Sequence, residues 1–196
     1  VWLNAGTKLE YPALFTGDTR RVRIEGEARF DVAHDASHPF VVETFAADVK
    51  VLGTEFNVAA DKACGTFSAA LFEGSVEVRD RTTDEAVVLH PDETVRLVDG
   101  RLATGRIEHP DDYIWTEGYI NFKGHTVGEI LDKYRHVYGV NIRLENVSLP
   151  DTKFQWGKIQ VQDGIDNAMK VLQNIYPITY EFDSETRAIT IREAER

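Results

Sequence analysis

Asp31, His34, Asp35 and His38 crowd eight positions, and His and Asp both ligate zinc-like ions. A protein metal site needs three or four ligands at a defined spacing, and no third histidine or cysteine is tied to this group in sequence. Ser37 and Pro39 lie in the same stretch, where short polar side chains cap backbone N–H groups in turns. The group therefore reads as a turn between two strands, and no metal is expected. Cys64, the one cysteine, precedes Gly65 with no histidine nearby in sequence, so it reads as an unactivated thiol. One cysteine also excludes an internal disulfide or a multi-cysteine cluster. Gly124, Gly128, Gly139, Gly157 and Gly164 are isolated and make no phosphate-binding loop. The carboxylates mostly alternate with apolar residues along strand-like runs, which marks solvated faces. No catalytic residues and no cofactor follow from any of these, and the chain is expected not to be an enzyme.

The aromatic residues divide into two sets. Trp2, Tyr11, Phe30, Phe40, Phe56 and Phe67 fit the faces of strands and read as core. Trp115, Tyr119, Phe122, Phe154 and Trp156 gather late in the chain, where they would either seal a contact between domains or anchor a protein partner. They are the candidate partner-binding residues.

Positioning these residues takes two kinds of element. Up to about Ile107 the dominant period is two. Val22, Ile24, Ala28, Phe30 and Val32 alternate with charged residues, and Gly26 marks a bend or bulge. Short β runs follow at 40–44, 49–52, 56–60, 67–72, 75–79, 87–89 and 94–98, separated by turn residues such as Asp99-Gly100. This pattern predicts an antiparallel all-β domain over 1–108, a sandwich, roll or short solenoid. Residues 109–114, acidic and broken by Pro110, read as a linker.

Over 115–196 the period becomes that of a helix, which gives the whole chain a mainly β plus α+β class. Thr126 with Glu129 makes a capping box ahead of an apolar stripe from Val127 to Tyr138, and Gly139 stops the helix. The stripe recurs from Ile165 to Tyr176 at the same internal spacing. With strands at 119–122, 140–144, 154–160 and 178–182, this half is a small α+β domain of two βαβ units, closed by a final strand at 188–192.

At 196 residues, 42% hydrophobic, the chain can bury one ordinary core or two smaller ones. A formal net charge of −11 repels a phosphate backbone, so nucleic acid is not an expected partner. No run approaches a membrane span and no signal peptide opens the chain. It begins within strand-like sequence, which reads as an excised fragment.

The opening stretch Val1–Pro12 resembles the VWLNAGS-x-L-x-YP stretch of the FecR family. Gly26–Val32, His38–Val42 and Val51–Val58 resemble that family's GEAYFDV, HPFVV and VLGTxFNV signatures, in the same order. The second half resembles the domain that follows in Bacteroidota members, itself similar to the short N-terminal domain of secretins and TonB-dependent transducers. The family pattern has a further strand before the VWLN stretch, which this sequence does not contain, so an open sheet edge is expected there. The resemblance implies the periplasmic part of an inner-membrane anti-sigma regulator. Its expected partner is the N-terminal signalling domain of a TonB-dependent outer-membrane transporter, with an extracytoplasmic-function sigma factor bound by a cytosolic part not present here. The alternative function is a β-rich ligand- or carbohydrate-sensing module, which requires a pocket lined by aromatics.

Overall fold

A computed structural model describes residues 1–194, which form two compact units, one spanning Val1–Glu108 and one beginning at His109. Each has its own apolar core.

The first unit begins with β1 (Trp2–Leu3), β2 (Lys8–Glu10) and β3 (Arg20–Val32). Then come β4 (Phe40–Glu43), β5 (Ala47–Val51), β6 (Thr54–Asp61), β7 (Thr66–Glu73), β8 (Val76–Asp80), β9 (Ala86–Leu89), β10 (Glu93–Val98) and β11 (Arg101–Arg106). The strands run β11-β10-β7-β6-β3-β4-β5-β8-β9. Because β9 and β10 are consecutive in the chain, residues 90–92 join one end of this path to the strand next to its other end, and the sheet is nearly closed.

The long strand β3 organises the unit. Its alternation is the predicted one: Val22, Ile24, Ala28, Phe30 and Val32 are buried, all on one parity. Gly26 is where β3 changes neighbours, with residues 26–32 paired to β6 and residues 20–23 paired to β4. Strands β1 and β2 run antiparallel to β3 as one interrupted strand, and their register slips around Ala5-Gly6. The β3–β4 pairing is parallel, with Arg20 beside Phe40, in a unit predicted to be antiparallel throughout. The chain thus returns from the end of β3 to the side of its start, and the Arg20 guanidinium holds the return. It donates to the carbonyls of His38 at 2.8 Å and Ala33 at 3.3 Å. Phe30 stacks on Phe56 with centroids 5.1 Å apart and also contacts Phe40, so the turn closes over aromatic rings.

In the second unit the segment read as a linker is folded. Residues Pro110–Glu117 form a 3-10 helix, for which Pro110 supplies the fixed φ of a first turn and Asp111 and Asp112 supply negative charge beside its N-terminus. Next come β12 (Tyr119–Asn121), α1 (Val127–Tyr138), β13 (Asn141–Glu145), β14 (Lys158–Gln160), α2 (Gly164–Ile175), β15 (Ile178–Asp183) and β16 (Ala188–Glu193). Strand–helix–strand order occurs twice. The equivalent leading strands β12 and β14 pair antiparallel, Ile120 directly opposite Ile159. The equivalent trailing strands β13 and β15 both flank β16, one parallel and one antiparallel to it, so they run in opposite directions. The two repeats are thus related by an approximate two-fold, with β16 inserted between their trailing strands.

The helices follow their sequence signals. Thr126 accepts from the Glu129 backbone N–H while the Glu129 carboxylate accepts from the Thr126 N–H, and Gly139 closes α1 in the left-handed region. Val127, Ile130, Leu131 and Tyr134 of α1 and Ala168, Met169 and Leu172 of α2 are buried against Ile142, Ile178, Ile189 and Ile191 of the sheet. The Tyr134 hydroxyl donates to the Ala168 carbonyl at 3.2 Å, tying α1 to α2, and burial pushes its pKa upward.

Candidate functional site

Two polar knots in the first unit gather the residues that stood out in sequence. In the first, the Glu27 carboxylate accepts from Asn4 at 2.7 Å and from Asn57 at 2.9 Å, so three separate stretches of chain meet on one side chain. Thr7 brackets the same residue: its hydroxyl donates to the Glu27 carbonyl and accepts from the Glu27 N–H. This closeness explains Gly26. A Cβ there would lie 2.7 Å from the Thr7 Cα, and its φ of +110° suits only glycine. In the second knot, Gly53 packs beneath His34, where a Cβ would lie 2.4 Å from the His34 Cα, and Thr54 donates to the Ser75 carbonyl at 3.1 Å. Both knots hold strands together; in the first the Asn57 Oδ1 atom is buried without a hydrogen-bond partner among the described residues, and in the second His34, Thr54 and Ser75 line a groove of about 510 Å³.

Two other reactive candidates lie in turns. The Asp35 carboxylate accepts from the backbone N–H groups of Ser37 and His38 and pairs with His38 Nδ1 at 2.9 Å, forming the turn that its sequence predicts. These bonds, His38 first, hold its pKa below the ordinary aspartate value. Cys64 is exposed, and its N–H donates to Asp61.

The five candidate partner-binding aromatics do not form one surface. Phe122 is 2% exposed, in the core of the second unit, and Phe154 packs on it at 5.3 Å and on Tyr176 at 5.8 Å. Tyr119 is half-buried beneath the Lys158 ammonium, 4.2 Å from its ring centre, and its hydroxyl accepts from Gln160. Trp115 is half-buried within the 3-10 helix, its indole N–H shielded from solvent without an acceptor among the described residues. Trp156, 81% exposed, is the one of the five presented fully to solvent. Nothing in its sequence neighbourhood separates it from Phe154. The difference arises from Gly157, which lies against the Phe122 ring and leaves Trp156 outside.

The second unit also has exposed sheet edges. Strands β13 and β15 are the two outer strands of their sheet, and each carries a large apolar residue toward solvent, Leu144 and Phe182.

A third cluster was invisible in sequence because its members are far apart in the chain. The Asp112 Oδ1 atom accepts from His125 Nε2 at 2.6 Å, Lys133 Nζ at 2.9 Å and Asn121 Nδ2 at 3.4 Å. Burial alone would raise the Asp112 pKa, but the bonds from His125 and Lys133 outweigh it and bring the carboxyl down to about 2.

The two units match two family models in chain order. Residues 1–77 match the model described as FecR protein, and residues 119–191 match the one described as FecR, C-terminal. The chain belongs to the FecR family. Two crystal structures of a protein from Parabacteroides distasonis ATCC 8503, provisionally assigned as an anti-sigma factor, share its fold with TM-scores of 0.78 and 0.77. In each, identity is 28% over 98% of this chain and 89% of the solved one. No curated protein matches the chain. The FecR family comprises signal-transducing regulators of the anti-sigma type, membrane-anchored with an extracytoplasmic domain. Among the described residues of this chain, no helix is long and apolar enough to cross a membrane.

Proposed function

We propose that this FecR-family chain is the periplasmic receiver of a membrane-anchored anti-sigma regulator. Its partner is the N-terminal signalling domain of a TonB-dependent outer-membrane transporter, and it relays that contact without converting any substrate. An extracytoplasmic-function sigma factor is bound elsewhere in the parent protein. The observation that carries this reading is the ordered match of both units to the two FecR models, together with a shared fold over nearly the whole chain.

The geometry supports a docking role. Strands β13 and β15 leave free backbone edges, which suit recognition by strand addition, and Trp156 offers a large amphipathic anchor on the same unit. The Glu27 carboxylate and the Asp35 turn, both taken up by structural hydrogen bonds, support a non-enzymatic role. Direct ligand sensing is less well supported: three of the grooves among the described residues, of about 420, 360 and 510 Å³, have Phe45 as their one phenylalanine, tyrosine or tryptophan.

The test is calorimetric titration of the chain with the signalling domain of the transporter encoded beside it, run in parallel with candidate glycans. Saturable binding to the protein domain, weakened by Trp156→Ala, is the expected result. Binding to a glycan with none to the protein domain would overturn the proposal.

A further inference from the structure

The 3-10 helix at the entrance of the second unit is attached largely through one carboxylate. An eight-residue 3-10 helix is unusually long for a geometry with strained hydrogen bonds, and such stretches often mark hinges. None of its residues is buried and none belongs to the apolar core of the unit. What anchors it is polar. Asp112 receives three donors, two from β12 and α1 and one, His125, from the loop between them. Just ahead of the helix, the His109 ring rests on Gly124 and the His125 ring, with ring centres 5.4 Å apart.

We propose that residues 109–117 are a detachable strap whose clasp is Asp112, and that the strap opens while the rest of the second unit stays folded. The energetic reasoning is that of local stability. A segment whose apolar side chains are at most half-buried depends heavily on its polar contacts, so its opening free energy lies below that of a fully packed helix. Charge-assisted hydrogen bonds converging on one partly buried carboxylate supply most of that retention. Opening uncovers the Asn121 side chain, otherwise buried against Asp112, and lets the Trp115 indole N–H reach an acceptor. The strap directly follows Glu108, the last residue of the first unit, so a pull on the chain from that side arrives first at this clasp. The strap is independent of the receiver reading and would stand if that reading fell.

Hydrogen exchange on the whole chain tests it. The informative amides are those of Asp112 and Gly118, which donate to the carbonyls of His109 and Trp115. They should exchange faster than the amides of α2 and β16 in the unaltered protein. Asp112→Asn removes the charge and should accelerate the two strap amides by roughly 10- to 100-fold, keeping them well ahead of the amides of α2 and β16. Lys133→Met attacks the clasp from the other side, should act in the same direction, and decides the matter if Asp112→Asn does not fold. Strap and core amides that exchange at one common rate, or strap rates unmoved by the variants, would overturn the proposal.

Discussion

The side chains that look most reactive are structural, and the reason lies in their partners. Glu27 meets two asparagines and a threonine, so its carboxylate is fixed by neutral donors and serves as a tie between strands. Asp112 differs because its donors include a lysine and a histidine, and this has a consequence for pH. The folded pKa, about 2, lies below the ordinary aspartate value of 3.8. The stabilisation is therefore complete above pH 3.8 and disappears as pH falls from there through 2. A shift of this size corresponds to about 2 kcal/mol. Urea unfolding of the second unit should show Asp112→Asn less stable by about that amount at pH 6–7, with the gap closing near pH 2. A gap that does not change over this range would mean the carboxylate charge is not what stabilises the unfolded-to-folded step.

The two helices have the same length and nearly the same apolar spacing, yet they begin differently. Thr126 and Glu129 form a complete capping box, whereas Asp163 sits ahead of α2 in a helical conformation with no side-chain cap. Thr126→Ala should cost about 1 kcal/mol, and Asp163→Ala only a few tenths through the lost charge at the helix N-terminus. Thermal melts of the two variants compare them directly, and equal losses would contradict the geometry. The strands and helices were legible because their periods survive in a single sequence: the β3 alternation and both helix stripes are where the pattern puts them. The parallel β3–β4 pairing was not legible, since it depends on how tightly β3 curls, and a period of two says nothing about which neighbour a strand takes. The 3-10 helix was missed for a different reason. Pro110 was read as a breaker, although proline followed by two aspartates is also a helix-start signal. Of the aromatics read as core, Phe30, Phe40, Phe56 and Phe67 are buried but Trp2 and Tyr11 are exposed, because a hydrophobic residue near a strand end carries no mark of whether its ring faces the core, as for Phe122, or solvent, as for Trp156.

At the scale of the molecule, two cores of independent composition lie on one chain, and the family models divide along the same line. A unit of this size buries enough surface to fold alone, so each should melt as its own cooperative step. Gly26 and Asp112 serve as reporters, one per unit. A Cβ at position 26 collides with the Thr7 backbone at a φ that disfavours any side chain, so Gly26→Ala should remove about 2 kcal/mol or more from the first unit. In a domain of about 100 residues, that lowers the midpoint by roughly 8–16 °C. Asp112→Asn should lower only the other midpoint, and the double variant should add the two shifts, since the altered sites share no partners. Calorimetry on the whole chain, with the pieces 1–108 and 109–196 beside it, reads all of this at once. Two transitions, each matching one piece and each moved by one reporter, are the expected result. A single transition lowered by either change would show that the halves hold each other folded, and a relay between independently stable parts would then have to be abandoned.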